Sequence, residues 1–397
     1  MSVRKRIWTN GKGEEKSAWV VDYVDGRGKR RLKSFKLKKD ADQFASTTAV
    51  EVREGVHVAD RDTVTVAEAG RLWLASCDAA GLERSTTDQY RQHLELHIVP
   101  HIGSVKLSKI TVPSVRAFQE ELRGNGRSQA MIKRVTVSLG SVLSDAQERG
   151  LVVRNAVHEM SKRRKGGNTV EKRQKSRLRY GVDIPTMEEV RAILGAAEGR
   201  YRPFLITAIF TGMRASELRG LTWADVDLDK AQIHVRQRAD KYHVLGLPKS
   251  DAGQRTIPLT PMVVNALKEW RLACPKGDMN LVFPNGEGNV EWHQNIIKRG
   301  LHPTMIAAGV IVEEQQDDGE PPMTKPKYTG LHTLRHWYAS WCINRKADGG
   351  LELSPKAVQQ RMGHSSIQIT FDTYGHLFPA VDEAQALADA EAILMAI

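Results

Sequence analysis

RPFLITAIFTGMRASELRGLTWADVDL, the stretch from Arg202 to Leu228, decides the architecture of the C-terminal half of the chain. Its first part is almost continuously apolar, which is typical of a helix that is buried on all sides. Gly212 then marks a turn, because glycine readily adopts the left-handed backbone that ends many helices. A second helix is predicted to start near Arg214. The stretch therefore predicts two helices with an arginine at the junction between them.

The segments on either side of this stretch predict a domain that mixes helices and strands. Before it, TMEEVRAILGAAEG has Thr186 as a helix cap and acidic residues in the first turn, which is a strong helix signal. After it, AQIHVRQ and RTIPLT are predicted strands that flank the hairpin-like connection LPKSDAGQ, and TPMVVNALKEWRL is a predicted helix. Residues 183–397 are therefore predicted to form a mixed α+β domain.

Three further segments precede that domain. Residues 1–60 are predicted to hold two strands, AWVVDYVD and RRLKSF, followed by a helix. Residues 63–160 show helical periodicity in successive segments, which predicts a compact four-helix domain. Residues 161–182 have few apolar side chains and Glu171 as their only acid, so they are predicted to be a flexible basic linker. The fold class predicted for the 397 residues is multidomain and mainly α, with a small N-terminal β-sheet.

The charge of the chain favours a polyanionic partner. It has 59 Lys and Arg residues against 47 Asp and Glu residues, a formal net charge of +12. This excess favours nucleic acid, although a soluble protein that is merely basic would have the same composition. Lys29, Arg30, Arg31 and Lys33 give the N-terminal strands a basic face, which could enter a DNA groove or be an ordinary solvated strand edge. The linker could likewise follow a phosphate backbone or be a plain tether.

Cysteine usage indicates a reducing compartment, and hydropathy gives no sign of a membrane segment. Cys77, Cys274 and Cys342 are odd in number, and their spacings suit neither a disulfide framework nor a zinc cluster. The N-terminal segment is charged and has no apolar signal region, and apolar runs such as FLITAIF are far shorter than a membrane span. A cytoplasmic location without membrane attachment is therefore expected.

Five short motifs supply six candidate catalytic residues: TGMRASELRGL, LPKSDAGQRTIPL, GLHTLRHWYAS, RMGHSS and FDTYGHLF. The third motif places a histidine and an arginine three residues apart, so that both project from one face of a helix. Singly, each candidate has an ordinary alternative, such as a structural ion pair, a solvated lysine, a capping histidine or a core tyrosine. The order of the whole set is what predicts a site. The candidates are Arg214, Lys249, His332, Arg335, His364 and Tyr374.

These side chains suit the transfer of a phosphodiester to a tyrosine. The two guanidiniums suit the non-bridging phosphate oxygens and the charge that develops on them in a pentavalent transition state. Lys249 could protonate the departing 5′ oxygen, and His332 could accept the phenolic proton or hold it nearby. His364 could hydrogen-bond the phosphate, and Tyr374 would be the nucleophile. The sequence has no Walker-type glycine loop, paired-carboxylate metal motif or CxxC, so neither a cofactor nor a metal is expected.

The sequence resembles the tyrosine recombinases, and more closely the integrases of temperate phages and integrative elements. The catalytic order in that family is Arg, Lys, His-x-x-Arg, His, Tyr, and all six positions are filled; TGMRASEL, HTLRH, MGHSSIQIT and TYGH are also similar. The resemblance of the catalytic region runs from about Ile184 to the end of the chain. The four-helix domain resembles the family's core-binding domain, and the N-terminal segment resembles its three-stranded arm-binding domain. VEEQQDDGEPPMTKPKYTG, before His332, departs from the family pattern by being longer and more acidic.

The resemblance implies a site-specific recombinase that cleaves and rejoins DNA through a 3′-phosphotyrosine intermediate. Four protomers would bind two duplexes, exchange strands through a Holliday junction, and so integrate or excise a phage or mobile element. The partners implied are double-stranded DNA with core-type and arm-type attachment sites, the other protomers of a homotetramer, a host DNA-bending protein and an excisionase. The location implied is the cytoplasm of a bacterial host, in association with the nucleoid.

Several alternatives stay open at this level. The tail from Pro379 could dock on a neighbouring protomer, as in the family, or pack on its own domain. Tyr374 could act in its own active site or in a neighbour's, whereas His376 beside it is predicted to be structural. A type IB topoisomerase that relaxes DNA and a DNA-binding regulator without catalysis are the rival functions.

Overall fold

A computed structural model describes residues 1–11, 13–25, 28–54, 57–59, 62–162, 177–314, 322–379 and 383–396. The chain divides into two compact units, Met1–Gly167 and Asn168–Ile397. Most of the predicted basic linker, residues 163–176, lies outside the described residues. The boundaries of the smaller domains therefore stay predictions. The mainly helical fold with small β-sheets is confirmed.

The first unit begins with a three-stranded antiparallel sheet and one helix. The strands β1 (Ser2–Thr9), β2 (Glu15–Val24) and β3 (Arg30–Phe35) pair in the order β1-β2-β3, and α1 (Lys38–Arg53) follows. The sequence pattern predicts β2, β3 and α1 but misses β1, because nearly all β1 side chains are exposed and show no apolar alternation. The small core consists of Val21, Tyr23, Ala41 and Ala45.

The predicted basic face of this sheet is partly neutralised by acids of the same unit. Arg30 pairs with Asp22, and Arg31 pairs with both Asp25 and Asp62. The Arg31 side chain is also largely buried. Arg31 therefore stabilises this part of the unit and does not belong to an exposed basic surface, which corrects the expectation from the sequence.

Residues 62–162 form a helical domain with one helix more than the four predicted. The helices are α2 (Val66–Ala79), α3 (Arg84–His93), α4 (Val112–Gly124), α5 (Gln129–Glu148) and α6 (Ala156–Lys162); α3 continues through a π-helical turn at Leu94–Ile98 into a short helical segment, Val99–Ile102. Their apolar faces meet in one core, which includes Trp73, Leu94, Phe118, Leu139 and Leu143.

The additional helix α6 is short, and the side chain of Asn155 caps its N-terminus. The Asn155 side chain accepts hydrogen bonds from the backbone N–H groups of Val157 and His158, and it donates one to the carbonyl oxygen of Gly140. An asparagine cap satisfies donors that the first turn of a helix leaves unpaired. Because α6 is short, periodicity alone could not identify it.

The second unit is mainly helical. Its helices are α7 (Met187–Ala196), α8 (Tyr201–Thr211), α9 (Ala215–Arg219), α10 (Pro261–Ala273), α11 (His293–Asn295, continued by a π-helical segment Ile296–Leu301 and by His302–Ala307), α12 (His332–Ile343), α13 (Pro355–Met362), α14 (Ile367–Tyr374) and α15 (Glu383–Met395). As predicted, α8 is buried along most of its length, and Gly212 follows it in a left-handed conformation. None of the described helices has both the length and the apolar character that crossing a membrane requires.

Small antiparallel sheets complete the second unit. One sheet has the order β4-β5-β8, formed by Val226–Asp227, Gln232–Val235 and Arg255–Pro258, which confirms the two predicted strands. Two further sheets are hairpins: β6 (Arg238–Ala239) with β7 (Leu245–Gly246), and β9 (Ile311–Glu314) with β10 (Met323–Pro326). The second hairpin lies in the acidic segment before α12, and residues 315–321 between its strands are outside the described residues.

Replacing Gly212 with alanine is expected to lower the free energy of unfolding of the second unit by about 3 kcal/mol. Gly212 has a φ of 58°, and a Cβ atom there would lie 2.3 Å from Cδ1 of Tyr338. Calorimetric unfolding of the full chain would measure the change. Gly195→Ala in α7 is the matched control, because nothing lies within 4 Å of a Cβ at that helical position. An equal effect of the two substitutions would contradict the prediction.

Candidate active site

Arg335 lies at the centre of the candidate site. Its side chain is buried, and its two terminal nitrogens donate to the carbonyl oxygens of Gly212 and Met362. These bonds join α12 to the turn after α8 and to the end of α13. Burial, and then the charge of the neighbouring Arg214, lower the pKa of Arg335 to about 9. The guanidinium is still cationic at neutral pH, in a position where water is largely excluded.

Arg214 joins the same group from the turn before α9. Its terminal nitrogen Nη2 donates to the carbonyl oxygen of Gly363 at 3.1 Å, and Nη1 donates to Glu217 at 2.8 Å. The carboxylate of Glu217 also accepts from the backbone N–H of Arg214, which fixes the start of the helix. Arg214 stays partly exposed, so its remaining donor capacity is open to a ligand.

Glu217 holds a third arginine that the sequence did not reveal as part of the site. Arg255 donates to the Glu217 carboxylate at 2.8 Å and to the carbonyl oxygen of Arg361 at 2.8 Å. Burial disfavours the charged carboxylate, but Arg255 and then Arg214 outweigh burial and lower the pKa of Glu217 to about 2. Nothing in the sequence indicates the pairing, because Arg255 begins a strand far along the chain from α9.

Tyr374 is buried at the end of α14, within its own unit. Its hydroxyl forms a hydrogen bond of 2.8 Å with Nδ1 of His336. Burial raises the pKa of the phenol to about 12, while the charges of Arg335 and Arg214 act in the opposite direction. The phenol is therefore protonated in the free protein at neutral pH.

His332 and His336 lie one turn apart on α12, with ring centroids 4.5 Å apart in an edge-to-face arrangement. His332 is the more exposed of the two. Desolvation, and then Arg335 and Arg214, lower the pKa of His332. His336 is the residue that sequence reasoning missed, although it stands in the motif HTLRH. Its i, i+4 spacing from His332 is the signal that could have placed both on one helix face.

His364 packs against the nucleophile candidate from the turn after α13. Its Nδ1 atom is 2.9 Å from Oγ1 of Thr370, and its ring is nearly parallel to that of Tyr374, with centroids 6.1 Å apart. Burial, and then Arg335, lower the pKa of His364 to about 4. His376 instead bonds to the carbonyl oxygen of Leu178 at 2.8 Å, which fits the structural role predicted for it.

Lys249 lies exposed in the loop between β7 and β8. The same loop reaches the site a few residues later, where a Cβ atom on Gly363 would lie only 2.9 Å from the carbonyl oxygen of Ala252. Five of the six predicted residues are therefore brought together directly, and the lysine loop packs against the turn that carries His364.

The charges of the group suit an anion. The guanidiniums of Arg214, Arg255 and Arg335 lie around the carboxylate of Glu217, and these four groups carry a formal excess of two positive charges. An excess of fixed donors in a partly desolvated site binds phosphate oxygens strongly. Within the described ranges, no group of three or more His, Cys, Asp or Glu residues is placed to hold a metal ion.

The chain is similar to known proteins over most of its length. Residues 185–380 match the model of the phage integrase family, and residues 65–123 match that of the phage integrase N-terminal SAM-like domain. A tyrosine recombinase XerC-like protein of Caldanaerobacter subterraneus subsp. tengcongensis is 24% identical over 89% of this chain and 90% of its own length. The ICEBs1 integrase of Bacillus subtilis is 22% identical over 96% of both chains.

Solved structures share the fold. The Tn1549 transposon integrase, in complex with a circular intermediate DNA, superposes with a TM-score of 0.61 at 19% identity, over 83% of this chain and 100% of that one. A lambda integrase tetramer bound to a Holliday junction gives a TM-score of 0.54 at 17% identity, over 91% and 95% of the two chains. The two family models, which match residues 65–123 and 185–380, show that the chain belongs to the phage integrase family of tyrosine recombinases.

Proposed function

We propose that this chain is a site-specific DNA recombinase that integrates or excises a phage or mobile element. The observation that carries the proposal is the Tyr374 hydroxyl, enclosed in its own unit beside a group with two excess positive charges. A tyrosine next to an anion site is the arrangement that a phosphotyrosine intermediate requires. The reaction cleaves a DNA strand, keeps its 3′ phosphate on the tyrosine, and later joins that phosphate to another 5′ end.

Each side chain of the set has a role in this reaction. Arg214 and Arg335 bind the non-bridging oxygens of the scissile phosphate and stabilise the charge that develops on them. His364 hydrogen-bonds the same phosphate, and Lys249 protonates the departing 5′ oxygen. His332, at the exposed edge of the site, is the candidate from the sequence for holding the phenolic proton. Because the phosphotyrosine conserves the energy of the broken bond, strand joining needs no nucleotide cofactor.

Tyr374 acts in the active site of its own protomer. The burial of Tyr374 in its own unit and its bond to His336 on α12 support action in the same protomer. Delivery to a neighbouring protomer would first have to break these contacts.

The partners proposed are double-stranded DNA and further copies of the chain. Related integrases have been solved on DNA, one of them as a tetramer on a Holliday junction. Core-type sites would bind residues 63–160 and 183–397, and arm-type sites would bind residues 1–60. A host DNA-bending protein and an excisionase would regulate direction, and the reaction would take place in the bacterial cytoplasm on the nucleoid.

Helix α15 supports assembly into a homotetramer. Four of its apolar side chains are about three-quarters exposed within the chain, and an apolar surface of this kind usually has a protein partner. We propose that α15 docks on a neighbouring protomer. The exposed side chains are Leu387 (71%), Ile393 (70%), Leu394 (71%) and Met395 (78%).

Tyr374→Phe is expected to abolish covalent protein–DNA adducts while leaving DNA binding intact, because only the nucleophilic oxygen is lost. The substrate is a nicked duplex selected from a randomised library by covalent capture on the wild-type chain. Mass spectrometry of the trapped adduct would identify the modified residue. Tyr180→Phe is the matched control, because Tyr180 lies at the exposed surface of the same unit and bonds to Asn344. An adduct that persists in the Tyr374 variant would contradict the assignment.

Lys249→Ala is expected to slow adduct formation about 100-fold on an ordinary duplex, since the departing 5′ oxygen loses its proton donor. A duplex with sulfur at the bridging 5′ position should restore the rate, because a thiolate leaves without protonation. Lys230→Ala, an exposed lysine that pairs with Asp227, serves as the control. The role of Lys249 would have to be abandoned if the sulfur substrate were slowed as much as the oxygen substrate.

Deletion of residues 1–60 is expected to spare cleavage of core-type sites but to impair recombination on the full attachment site of the element. A second variant, with Arg4, Lys5 and Arg6 of β1 changed to serine, should share the defect, because these cations are exposed on the sheet. Recombination at the wild-type rate in both variants would contradict arm-site binding by this segment.

A further inference from the structure

We propose that His336 is the side chain that holds the Tyr374 hydroxyl in position and accepts its proton during strand cleavage. The inference rests on the proposed function and refines it, because the sequence pattern offered His332 for this proton. In the family pattern His-x-x-Arg, the histidine that precedes Arg335 by three residues is His332. His336 follows Arg335 immediately and lies outside that pattern.

The contacts favour His336 on geometric grounds. Its Nδ1 atom is 2.8 Å from the Tyr374 hydroxyl, which is hydrogen-bonding distance and the reach required of a general base. The two rings lie at 62° with centroids 5.8 Å apart, so the imidazole edge meets the phenol oxygen. Among the contacts of the described residues, the ring of His332 meets His336 rather than Tyr374.

The other histidine near the phenol is already engaged. His364 lies parallel to Tyr374, and its Nδ1 atom bonds to Thr370. Among the hydrogen bonds of the described residues, the Tyr374 hydroxyl is joined to His336 and not to His364. His364 is therefore placed for the phosphate and His336 for the nucleophile.

The charges around His336 explain how DNA would activate the site. Partial burial, and then His332 and Arg335, lower the pKa of His336 to about 4, while Asp183 acts in the opposite direction. The free protein therefore holds a neutral imidazole against a protonated phenol, and the nucleophile is inactive. A phosphate bound by Arg214 and Arg335 adds negative charge beside the imidazole. That charge raises the pKa of His336, so the substrate itself makes the histidine a stronger base.

The proton balance of the reaction follows from these positions. In cleavage, the oxygen of Tyr374 bonds to phosphorus, its proton moves to Nδ1 of His336, and the bond from phosphorus to the 5′ oxygen breaks as Lys249 protonates that oxygen. In joining, the incoming 5′ hydroxyl attacks phosphorus and gives its proton to Lys249. The bond from phosphorus to Tyr374 breaks, and the imidazolium of His336 returns the proton to the phenol oxygen. One cycle leaves every protein group as it began.

The test measures single-turnover adduct formation on the selected nicked duplex as a function of pH. His336→Asn keeps a hydrogen-bonding group near the position of Nδ1 but cannot act as a base, so the rate should fall about 100-fold. In this variant the rate should rise about tenfold per pH unit, since the phenol must ionise by itself. The wild-type rate should become independent of pH above the pKa of His336 in the complex. The rate of His332→Gln should show the same plateau at high pH.

The outcomes separate the two proposals. If the wild-type chain forms no adduct on any duplex, the proposed function fails. If the wild-type chain forms the adduct and His336→Asn matches its rate and pH profile, only the assignment of His336 fails. Loss of the plateau in His332→Gln but not in His336→Asn would assign the base to His332.

A second measurement does not depend on the folding of a His336 variant. In Tyr374→Phe, with nitrogen-15 in its histidines, NMR titration should show the His336 pKa rising by about one unit or more when the selected duplex is added. The Tyr374→Phe chain without DNA is the control. A pKa of His336 that is the same with and without DNA would overturn activation by the substrate.

Discussion

The rest of the site depends on the hydrogen bonds that the buried guanidinium of Arg335 donates to the backbone. Its two bonds to backbone carbonyl oxygens join α12 to the turn after α8 and to the end of α13. The two carbonyl groups accept hydrogen bonds from Arg335 but leave its charge uncompensated, and a buried charge without a full counter-ion is unfavourable. A bound anion would reduce this cost. The junction of α12, the turn after α8 and the end of α13 therefore favours an anion such as phosphate.

Glu217 limits this excess of charge without cancelling it. Its carboxylate binds Arg214 and Arg255, and the low pKa of Glu217 keeps it ionised throughout the physiological range. Arg255 in turn bonds to the carbonyl oxygen of Arg361 near the end of α13. The sheet that follows the lysine loop is thereby connected to the helix that precedes His364. The candidate phosphate-binding residues and the strand that follows the Lys249 loop are thus parts of one hydrogen-bonded assembly.

The burial that positions Tyr374, the candidate nucleophile, also keeps its phenol protonated. Tyr374 has a raised pKa and His336 a lowered one, so the proton stays on the phenol until charge is added. This arrangement suits an enzyme that must not react before its DNA is bound. A phosphate supplies the missing charge at the point where bond breaking begins, so that recognition and activation are coupled through electrostatics rather than through a large rearrangement.

The sequence by itself determined the family, the buried helix α8 with its glycine turn, the strands β5 and β8, and the identity and order of the six candidate residues. These features depend on local periodicity, caps and motif spacing, which a linear pattern contains. Periodicity missed β1, whose side chains are exposed, although the family resemblance implied a third strand, and it missed α6, which is too short to show a period. Only the tertiary structure decided that Glu217 pairs with Arg255 and that His336, not His332, meets Tyr374. Such contacts join residues far apart in the chain, and they depend on how helices pack rather than on which residues are neighbours in sequence.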